Sequence, residues 1–168
     1  ANLPYNIANP IIMRLLEENF AVQELTVMVQ KEVAARMTAD PGGKDYGILS
    51  IAIQYYAEPI IEFTVPPTVF IPQPKVDSAV VRFKVREEPQ VEVRDEEFFF
   101  RVVRAAFQQR RKTVRNALRK AANLEVSKEV VDEALKRAEI DSRRRGEKLS
   151  VTQFGCLSDK LFELVIDT

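Results

Sequence analysis

A polar, proline-bearing stretch, Arg86-Glu-Glu-Pro-Gln90, separates two parts of the chain that have different secondary-structure patterns. Before this stretch, short β-branched runs alternate with helical periodicity, and the last two strands follow one another directly. After it, all the apolar periodicity is helical. The pattern predicts the second half of an α/β sheet ending in a hairpin-like pair, in residues 1–88, followed by a small all-helical domain in residues 89–168.

The predicted elements of the first part have clear boundaries. Asn9 is a favoured N-cap and Pro10 is favoured in the first turn, so the first helix is expected to begin there and to run to about Phe20. Alternating apolar residues from Ser78 to Arg86 predict a half-exposed or edge strand. The other strands are predicted at 25–30 and 58–65, and the other helices at 31–37 and 46–56.

The second part contains four predicted helices, at 95–109, 113–122, 127–138 and 150–165. A continuous helix through the first two segments would put Arg110 on its apolar side. A break is therefore expected near residues 109–112, with Thr113 capping a new helix. Ser150 and Gln153 fit a capping box for the last helix.

The composition excludes several kinds of site. With no histidine and a single cysteine, Cys156, the chain has no Ser-His-Asp triad, no internal disulfide and no cysteine-cluster zinc site, and we expect no bound metal. Cys156 lies in the last predicted helix and is expected to be a small core residue. No apolar run approaches the roughly 20 residues that span a bilayer, which predicts a cytoplasmic protein.

Residues 2–5, Asn-Leu-Pro-Tyr, combine the groups needed to hold a flat ring that carries an amino group. The Asn2 amide oxygen and a backbone carbonyl beside Pro4 are acceptors for an amine, and Tyr5 offers a ring for stacking. Functional loops normally follow the scaffold that carries them, and here the motif comes directly after Ala1. We therefore expect the chain to be a C-terminal fragment of a longer protein.

Residues 66–74, here called the proline loop, are the second unusual stretch. Four prolines fix φ and remove backbone donors, so the loop is expected to be stiff and to hold Phe70 in one place. Two interpretations follow: Phe70 closes a binding site, or it packs as a core residue beneath a turn. Lys75, just after the loop, is expected either to touch a phosphate or to extend into solvent.

The charge of the chain is zero in sum and uneven in distribution. Residues 101–120, here called the basic segment, contain eight basic residues and no acidic residue. Without acidic partners at i±4 the repulsion is uncompensated, which favours phosphate binding over a solvated charged face. A smaller cluster, Arg143-Arg144-Arg145, is expected either to contact nucleic acid or to be paired internally, with Glu147 as the partner of Arg145.

Stretches over nearly the whole chain resemble, in the same order, those of the rRNA adenine dimethyltransferases, most closely the small-subunit type. They are Asn2-Leu3-Pro4-Tyr5, Gln30-Lys31-Glu32-Val33, Tyr46-Gly47-x-Leu49-Ser50, Gln54-Tyr55-Tyr56, Val65-Pro66-Pro67, Phe70-x-Pro72-x-Pro74-Lys75-Val76-Asp77-Ser78-Ala79-Val80-Val81, Phe107-x-Gln109-Arg110-Arg111-Lys112-Thr113-x-Arg115-Asn116 and Arg145-x-Glu147-x-Leu149-Ser150-Val151-x-Gln153. The resemblance implies a Rossmann-like, S-adenosylmethionine-dependent methyltransferase followed by a small helical domain. The family's glycine-rich cofactor loop precedes the first of these stretches and has no match in this chain.

The resemblance also implies roles for individual residues. The Asn2 side chain and the Leu3 carbonyl accept hydrogen bonds from the adenine amine, which favours a pyramidal nitrogen with an available lone pair. Pro4 stiffens the turn, and Tyr5 and Phe70 stack on the two faces of a flipped-out base. These five residues are the expected catalytic set, and Asn2 is also the expected cofactor contact. The expected RNA contacts are Lys75, Arg104, Gln109, Arg110, Arg111, Lys112 and Arg115.

The implied activity is dimethylation of two adjacent adenosines in a hairpin loop near the 3′ end of small-subunit rRNA, by a monomer acting on the assembling small ribosomal subunit. Large-subunit, erythromycin-resistance methylases share the stretches at 2–5 and 70–76, but the segment at 145–153 argues against them. DNA adenine methyltransferases carry a double proline that this chain lacks. For this chain alone, a non-catalytic RNA-binding module is a further alternative, because methyl transfer needs a bound donor.

Overall fold

The fold is described by a computed structural model for residues 1–18, 20–122 and 124–166. Asn19, near the predicted end of the first helix, lies outside these residues. No helix in the described part is long and apolar enough to cross a lipid bilayer. The same ranges hold no group of three or more Asp, Glu, Cys or His side chains placed to share a metal ion.

The described residues form two compact units. The first consists of Ala1–Asp40 and Leu49–Gln90, and the second of Pro41–Ile48 and the residues from Val91 onward. The second unit therefore includes a short segment from the first part of the sequence. A role in RNA recognition for residues 89–168 remains a prediction.

The first unit holds the sheet. Its elements are α1 (Tyr5–Glu17), β1 (Glu24–Gln30), α2 (Lys31–Met37), α3 (Ile48–Tyr56), β2 (Ala57–Val65), a 3-10 turn (Pro67–Val69) and β3 (Ser78–Val85). Strand β3 lies between β1 and β2 and is antiparallel to both, so β1 and β2 run in the same direction. The edge interpretation of β3 was wrong. Its alternation instead reflects one buried face, formed by Ala79, Val81 and Phe83.

Helix α1 begins at Tyr5, four residues before the predicted start at Asn9. The Pro4 carbonyl accepts the N–H groups of Ile7 and Ala8, at 3.1 and 3.2 Å, and Pro10 lies inside the helix. Helical spacing of apolar residues extends back before Asn9, so burial of one face outweighs the hydrogen bond that Pro10 cannot make. The buried residues of this face are Ala8, Ile12 and Leu16.

The core of the first unit lies on one face of the sheet. The register places Val27 opposite Val81 and Val29 opposite Ala79, and all four side chains are buried. Helices α1, α2 and α3 contribute the remaining buried side chains of this core, among them Ile12, Met37 and Ile53. Close packing of these side chains holds the strands in position, and the strands in turn position the loops at their ends.

The second unit is helical in its described residues. It contains α4 (Glu96–Gln108), α5 (Val114–Leu118), α6 (Lys128–Arg137), a 3-10 turn (Gly146–Lys148) and α7 (Val151–Ile166). The predicted break after α4 is confirmed, and the Thr113 hydroxyl accepts the Asn116 N–H at 3.3 Å as an N-cap. The capping box is also confirmed. Gln153 accepts the Ser150 N–H at 3.1 Å, and the Ser150 hydroxyl accepts the Gln153 N–H at 3.2 Å.

Cys156 is exposed, so its prediction as a core residue was wrong. At about 100° per residue, Cys156 lies on the opposite side of α7 from Phe154, two positions before it. The buried face of α7 is formed by Val151, Phe154, Gly155, Leu157, Ser158 and Leu161.

Candidate functional site

Several segments of the first unit meet at one edge of the sheet. Asn2 forms a parallel bridge with Met28, so the start of the chain lies beside β1 in the same direction. The register aligns Gln30, Ser78 and Val65 across the sheet. The turn after Asn2, the end of β1, the proline loop after β2 and the start of β3 therefore share one edge. In α/β sheets this edge, at the carboxyl ends of the parallel strands, is where ligands bind.

A cavity of about 330 Å³ opens at this edge. It is lined by residues 2–5 together with Phe70, Pro72 and Pro74 of the proline loop. The volume falls within the range of roughly 300–1,000 Å³ that small-molecule pockets occupy. Residues 2–5 and Phe70, predicted as one site although more than sixty positions apart, line one cavity. Pro72 and Pro74 were expected only to stiffen the loop, and they also form part of the wall.

The pocket residues differ in exposure. Asn2 and Pro4 are exposed, whereas Leu3, Tyr5 and Phe70 are half-buried. Phe70 is therefore not a core residue, and the part of its ring that is accessible contributes to the pocket. A base-stacking role for Tyr5 and Phe70 remains a prediction.

The turn of residues 2–5 leaves one carbonyl available. The Pro4 carbonyl is used by the first turn of α1, where it accepts the N–H groups of Ile7 and Ala8. Within residues 1–18, 20–122 and 124–166, no backbone N–H donates to the Leu3 carbonyl. Leu3 and Asn2 both line the pocket, so this carbonyl and the Asn2 amide oxygen are candidate acceptors for an amine with two N–H groups.

The Tyr5 ring is held by a hydrogen bond that the sequence did not reveal. The Tyr5 hydroxyl lies 2.6 Å from the Ser78 hydroxyl, and Ser78 is fully buried at the start of β3. The two residues are 73 positions apart, and no local pattern links them. Because the hydroxyl is engaged, the ring face is the part of Tyr5 that is left to meet a ligand.

We expect Tyr5→Phe to keep the ring while lowering stability. Loss of the hydroxyl leaves the buried Ser78 hydroxyl unpaired, which costs about 1–3 kcal/mol. Denaturant unfolding should show this loss, while the methylation that the resemblance implies, measured in a protein that contains this chain, should stay within about threefold of wild type. The double variant Tyr5→Phe/Ser78→Ala should recover part of the stability. A Tyr5→Phe variant with unchanged stability and lost activity would show that the hydroxyl itself meets the substrate.

The residue before β3 is also held by contacts with the first residue of α2. The Lys31 N–H donates to the Asp77 carbonyl at 3.0 Å, and the Lys31 ammonium lies 3.1 Å from the Asp77 carboxylate. Lys75, two residues earlier, is exposed, and the described part of the chain offers it no ion-pair partner. Its contact with a phosphate remains a prediction.

The basic segment contains side chains that are free of carboxylate partners. Arg104, Arg111 and Lys112 are exposed, and none has a carboxylate within ion-pair distance in the described ranges. Residues 108–112 line a cavity of about 320 Å³ at the turn after α4, and Gln109 is the C-cap of that helix. This turn presents donors and uncompensated positive charge together, which is the usual footprint of phosphate binding.

Arg110 differs from these residues because it has protein partners. Its guanidinium donates to Glu147 at 3.3 Å and also to the Lys44 carbonyl. The expected pairing of Glu147 with Arg145 was wrong, since Glu147 pairs with Arg110. The predicted RNA contact by Arg110 would have to compete with these bonds.

Arg115 is also paired. Its guanidinium makes a two-pronged contact with the Asp132 carboxylate, at 2.7 and 2.6 Å, and Arg119 donates to the same carboxylate. Hydrogen bonds from Arg115 lower the pKa of Asp132 and in turn raise the pKa of Arg115. The predicted RNA contact by Arg115 was based on a lack of acidic partners nearby in sequence, and α6 supplies one in space.

This pair predicts a pH dependence of stability. Because the folded pKa of Asp132 lies below its unfolded value of about 3.9, its contribution is present above that value and is lost as pH falls through the folded pKa. We expect Asp132→Asn to unfold at a lower temperature than wild type near pH 7, and the difference to shrink as the pH falls to about 2. Carboxylates common to both proteins cancel in this comparison. If the difference in unfolding temperature stayed constant with pH, the lowered pKa of Asp132 would not be its cause.

The arrangement of strands and pocket defines a class of protein. Two parallel strands with an antiparallel strand between them, and a pocket at the carboxyl ends of the parallel strands, belong to the Rossmann-like methyltransferases, as the solved structures confirm. Within that class, the chain belongs to the ribosomal RNA adenine dimethylase family, which matches residues 1–161.

Individual relatives agree with this family. Ribosomal RNA small subunit methyltransferase A of Moorella thermoacetica is 55% identical over 161 residues, which are 96% of this chain and 55% of that protein. The protein of the same name from Bacillus licheniformis is 52% identical over 167 residues, 99% of this chain and 57% of its own. The chain thus spans somewhat more than half the length of these relatives.

Two solved structures share the fold. A dimethyladenosine transferase from Plasmodium falciparum superposes with a TM-score of 0.82 at 25% identity, covering 94% of this chain and 63% of that one. The 23S rRNA methyltransferase ErmE superposes with a TM-score of 0.68, also at 25% identity, covering 96% of this chain and 63% of its own.

Proposed function

We propose that a protein carrying this chain transfers methyl groups from S-adenosylmethionine to the N6 amino groups of two adjacent adenosines in a hairpin loop near the 3′ end of small-subunit rRNA. The observation that carries the proposal is one pocket lined by Asn2, Leu3, Tyr5 and Phe70. These residues offer an exposed amide, a backbone carbonyl that no backbone N–H of the described residues uses, and two aromatic rings. Adenine is a flat, amino-bearing ring that needs this set of contacts.

The two acceptors prepare the amine. An adenine amino nitrogen is a poor nucleophile because its lone pair is delocalised into the ring. The Asn2 oxygen and the Leu3 carbonyl accept hydrogen bonds from the two N–H groups of the amine. These hydrogen bonds favour the pyramidal nitrogen of the transition state over the planar ground state. No general base is required, since the methylated amine is acidic enough to lose its proton to water.

The residues present also fit the methyl donor. When bound, S-adenosylmethionine supplies an electrophilic methyl group on a positively charged sulfonium. None of the residues that line the pocket is charged, so no cation repels that sulfonium. The Tyr5 and Phe70 rings favour positive charge through a cation–π contribution of about 0.5–2 kcal/mol. Asn2, exposed at the pocket mouth, is the residue of this chain proposed to contact the donor.

The choice of small-subunit rRNA is supported by the relatives, which carry the name small subunit methyltransferase A. The TM-score is also higher for a dimethyladenosine transferase than for a 23S rRNA methyltransferase. The large-subunit alternative is therefore less well supported. The proposed setting is the cytoplasm, with a monomer bound to the assembling small ribosomal subunit.

The basic segment is proposed to hold the surrounding RNA. Arg111→Ala and Lys112→Ala should each weaken binding to any RNA sequence, because they remove phosphate contacts. Each should also reduce the slope of log K against log salt by about one unit. Filter binding across salt concentrations measures this slope, and Lys160→Ala in α7, whose ammonium pairs with Glu163, is a matched control. An unchanged slope would place RNA elsewhere.

The proposed activity is tested with a protein that contains this chain together with a donor-binding region. We expect it to methylate small-subunit rRNA from cells that lack the modification, and to leave large-subunit rRNA and duplex DNA unmodified. Mass spectrometry of digested RNA identifies dimethyladenosine. Equal activity on duplex DNA would contradict the proposal.

For this chain alone, the free basic side chains favour RNA binding without catalysis. Calorimetric titration of the isolated chain with S-adenosylmethionine should show no tight binding. RNA binding should persist with its salt dependence. Tight donor binding by the isolated chain would overturn this alternative.

A further inference from the structure

The proline loop presents apolar side chains to solvent directly beside the pocket. Ile71 is 101% exposed relative to its reference value, and Val69 is 63% exposed. Their neighbours Phe70 and Pro72 line the pocket. Residues 66–74 contain no charged residue, although 30% of the chain is charged. This loop is therefore chemically unlike the basic turn after α4, which is proposed to bind phosphate.

The loop is rigid enough to hold these side chains in place. A 3-10 turn spans Pro67–Val69, and the Phe70 N–H donates to the Pro67 carbonyl at 3.2 Å. Four prolines restrict φ along the loop, and its ends are anchored in β2 and β3. An apolar side chain presented on a stiff loop loses little entropy when it contacts a ligand.

A flipped base creates the surface that such a side chain fits. When a nucleotide leaves its stack, the bases on either side lose a stacking partner and expose apolar faces. Proteins that open a base step often insert an apolar side chain such as isoleucine or leucine against those faces. Ile71 is next to the pocket wall in sequence, is uncharged, and is fully exposed among the described residues.

We propose that Ile71, supported by Val69, packs against the nucleobase adjacent to the adenine that enters the pocket, and so compensates for the stacking that the adenine loses. This inference rests on the proposed function, because it requires an adenine in the pocket. In this proposal the protein contacts a base that flanks the target adenine, in addition to the contacts that Asn2, Leu3, Tyr5 and Phe70 make with the adenine itself.

The test uses a methylation-competent protein that contains this chain and an RNA hairpin that keeps adenosine at the target position, and it measures kcat/KM for methylation of that adenosine. We expect Ile71→Ala to lower kcat/KM about tenfold. A second hairpin has an abasic site beside the target. On it, wild type and Ile71→Ala should behave alike, because the partner base is gone. Ile166→Ala, which truncates an exposed isoleucine of α7, is the matched control.

The outcomes separate this inference from the proposed function. Equal kcat/KM for wild type and Ile71→Ala on the intact hairpin, while wild type still methylates it, overturns the proposed contact of Ile71 and leaves the proposed function standing. An equal loss on both hairpins also overturns it, since the effect would not depend on the neighbouring base. A wild-type protein that does not methylate the intact hairpin overturns both. Thermal unfolding should show no loss of stability for Ile71→Ala, because its side chain is fully exposed.

Discussion

Asn2→Ala, in a methylation-competent protein that contains this chain, is expected to lower kcat by roughly 10²–10³-fold, because one transition-state acceptor is removed. The Leu3 carbonyl alone would then hold the amine, and one N–H bond would lack its partner. RNA affinity should stay within about twofold, since the basic segment is proposed to supply most of the binding free energy. Single-turnover methylation and filter binding measure the two quantities separately.

Asn2→Asp is the informative companion variant. A carboxylate retains an acceptor, but its charge would have to be buried against the base, so we expect activity between those of wild type and Asn2→Ala. If Asn2→Ala kept its methylation rate within about threefold of wild type, the amine-orienting role would be wrong. A loss of RNA binding equal to the loss of rate would instead indicate a binding role.

Phe70→Ala is expected to have the second largest effect. Loss of one stacking face costs about 1–3 kcal/mol, so kcat/KM should fall by roughly 5–150-fold. Phe70→Tyr keeps a ring of similar shape and should retain most of the activity. Initial rates at low RNA concentration give kcat/KM for each variant.

The matched control is Phe63→Ala, which truncates a 58% exposed phenylalanine of β2 outside the pocket. We expect Phe63→Ala to stay near wild type. Equal effects of Phe63→Ala and Phe70→Ala would show that the loss comes from general surface or stability changes. In that case Phe70 would have no special role as a wall of the pocket.

Local chemistry made most of the elements predictable. Apolar periodicity and capping residues located the strands and the four C-terminal helices, and the capping box at Ser150 was found from four residues alone. Errors arose where burial overrode a local signal. Asn9-Pro10 looked like a helix start, but the buried face of α1 extends back to Ala8.

The sequence by itself determined the division into a strand-containing part and a helical part, the break after α4, and the candidate pocket residues 2–5 and 70. Only the tertiary structure showed which partners each side chain meets. Ser78 holds Tyr5, and Asp132 neutralises Arg115, across long separations in sequence. Apolar periodicity and helix caps depend on residues that are close in sequence, so they can be predicted from the sequence. A hydrogen bond between distant residues depends on how the elements pack, which no local pattern encodes.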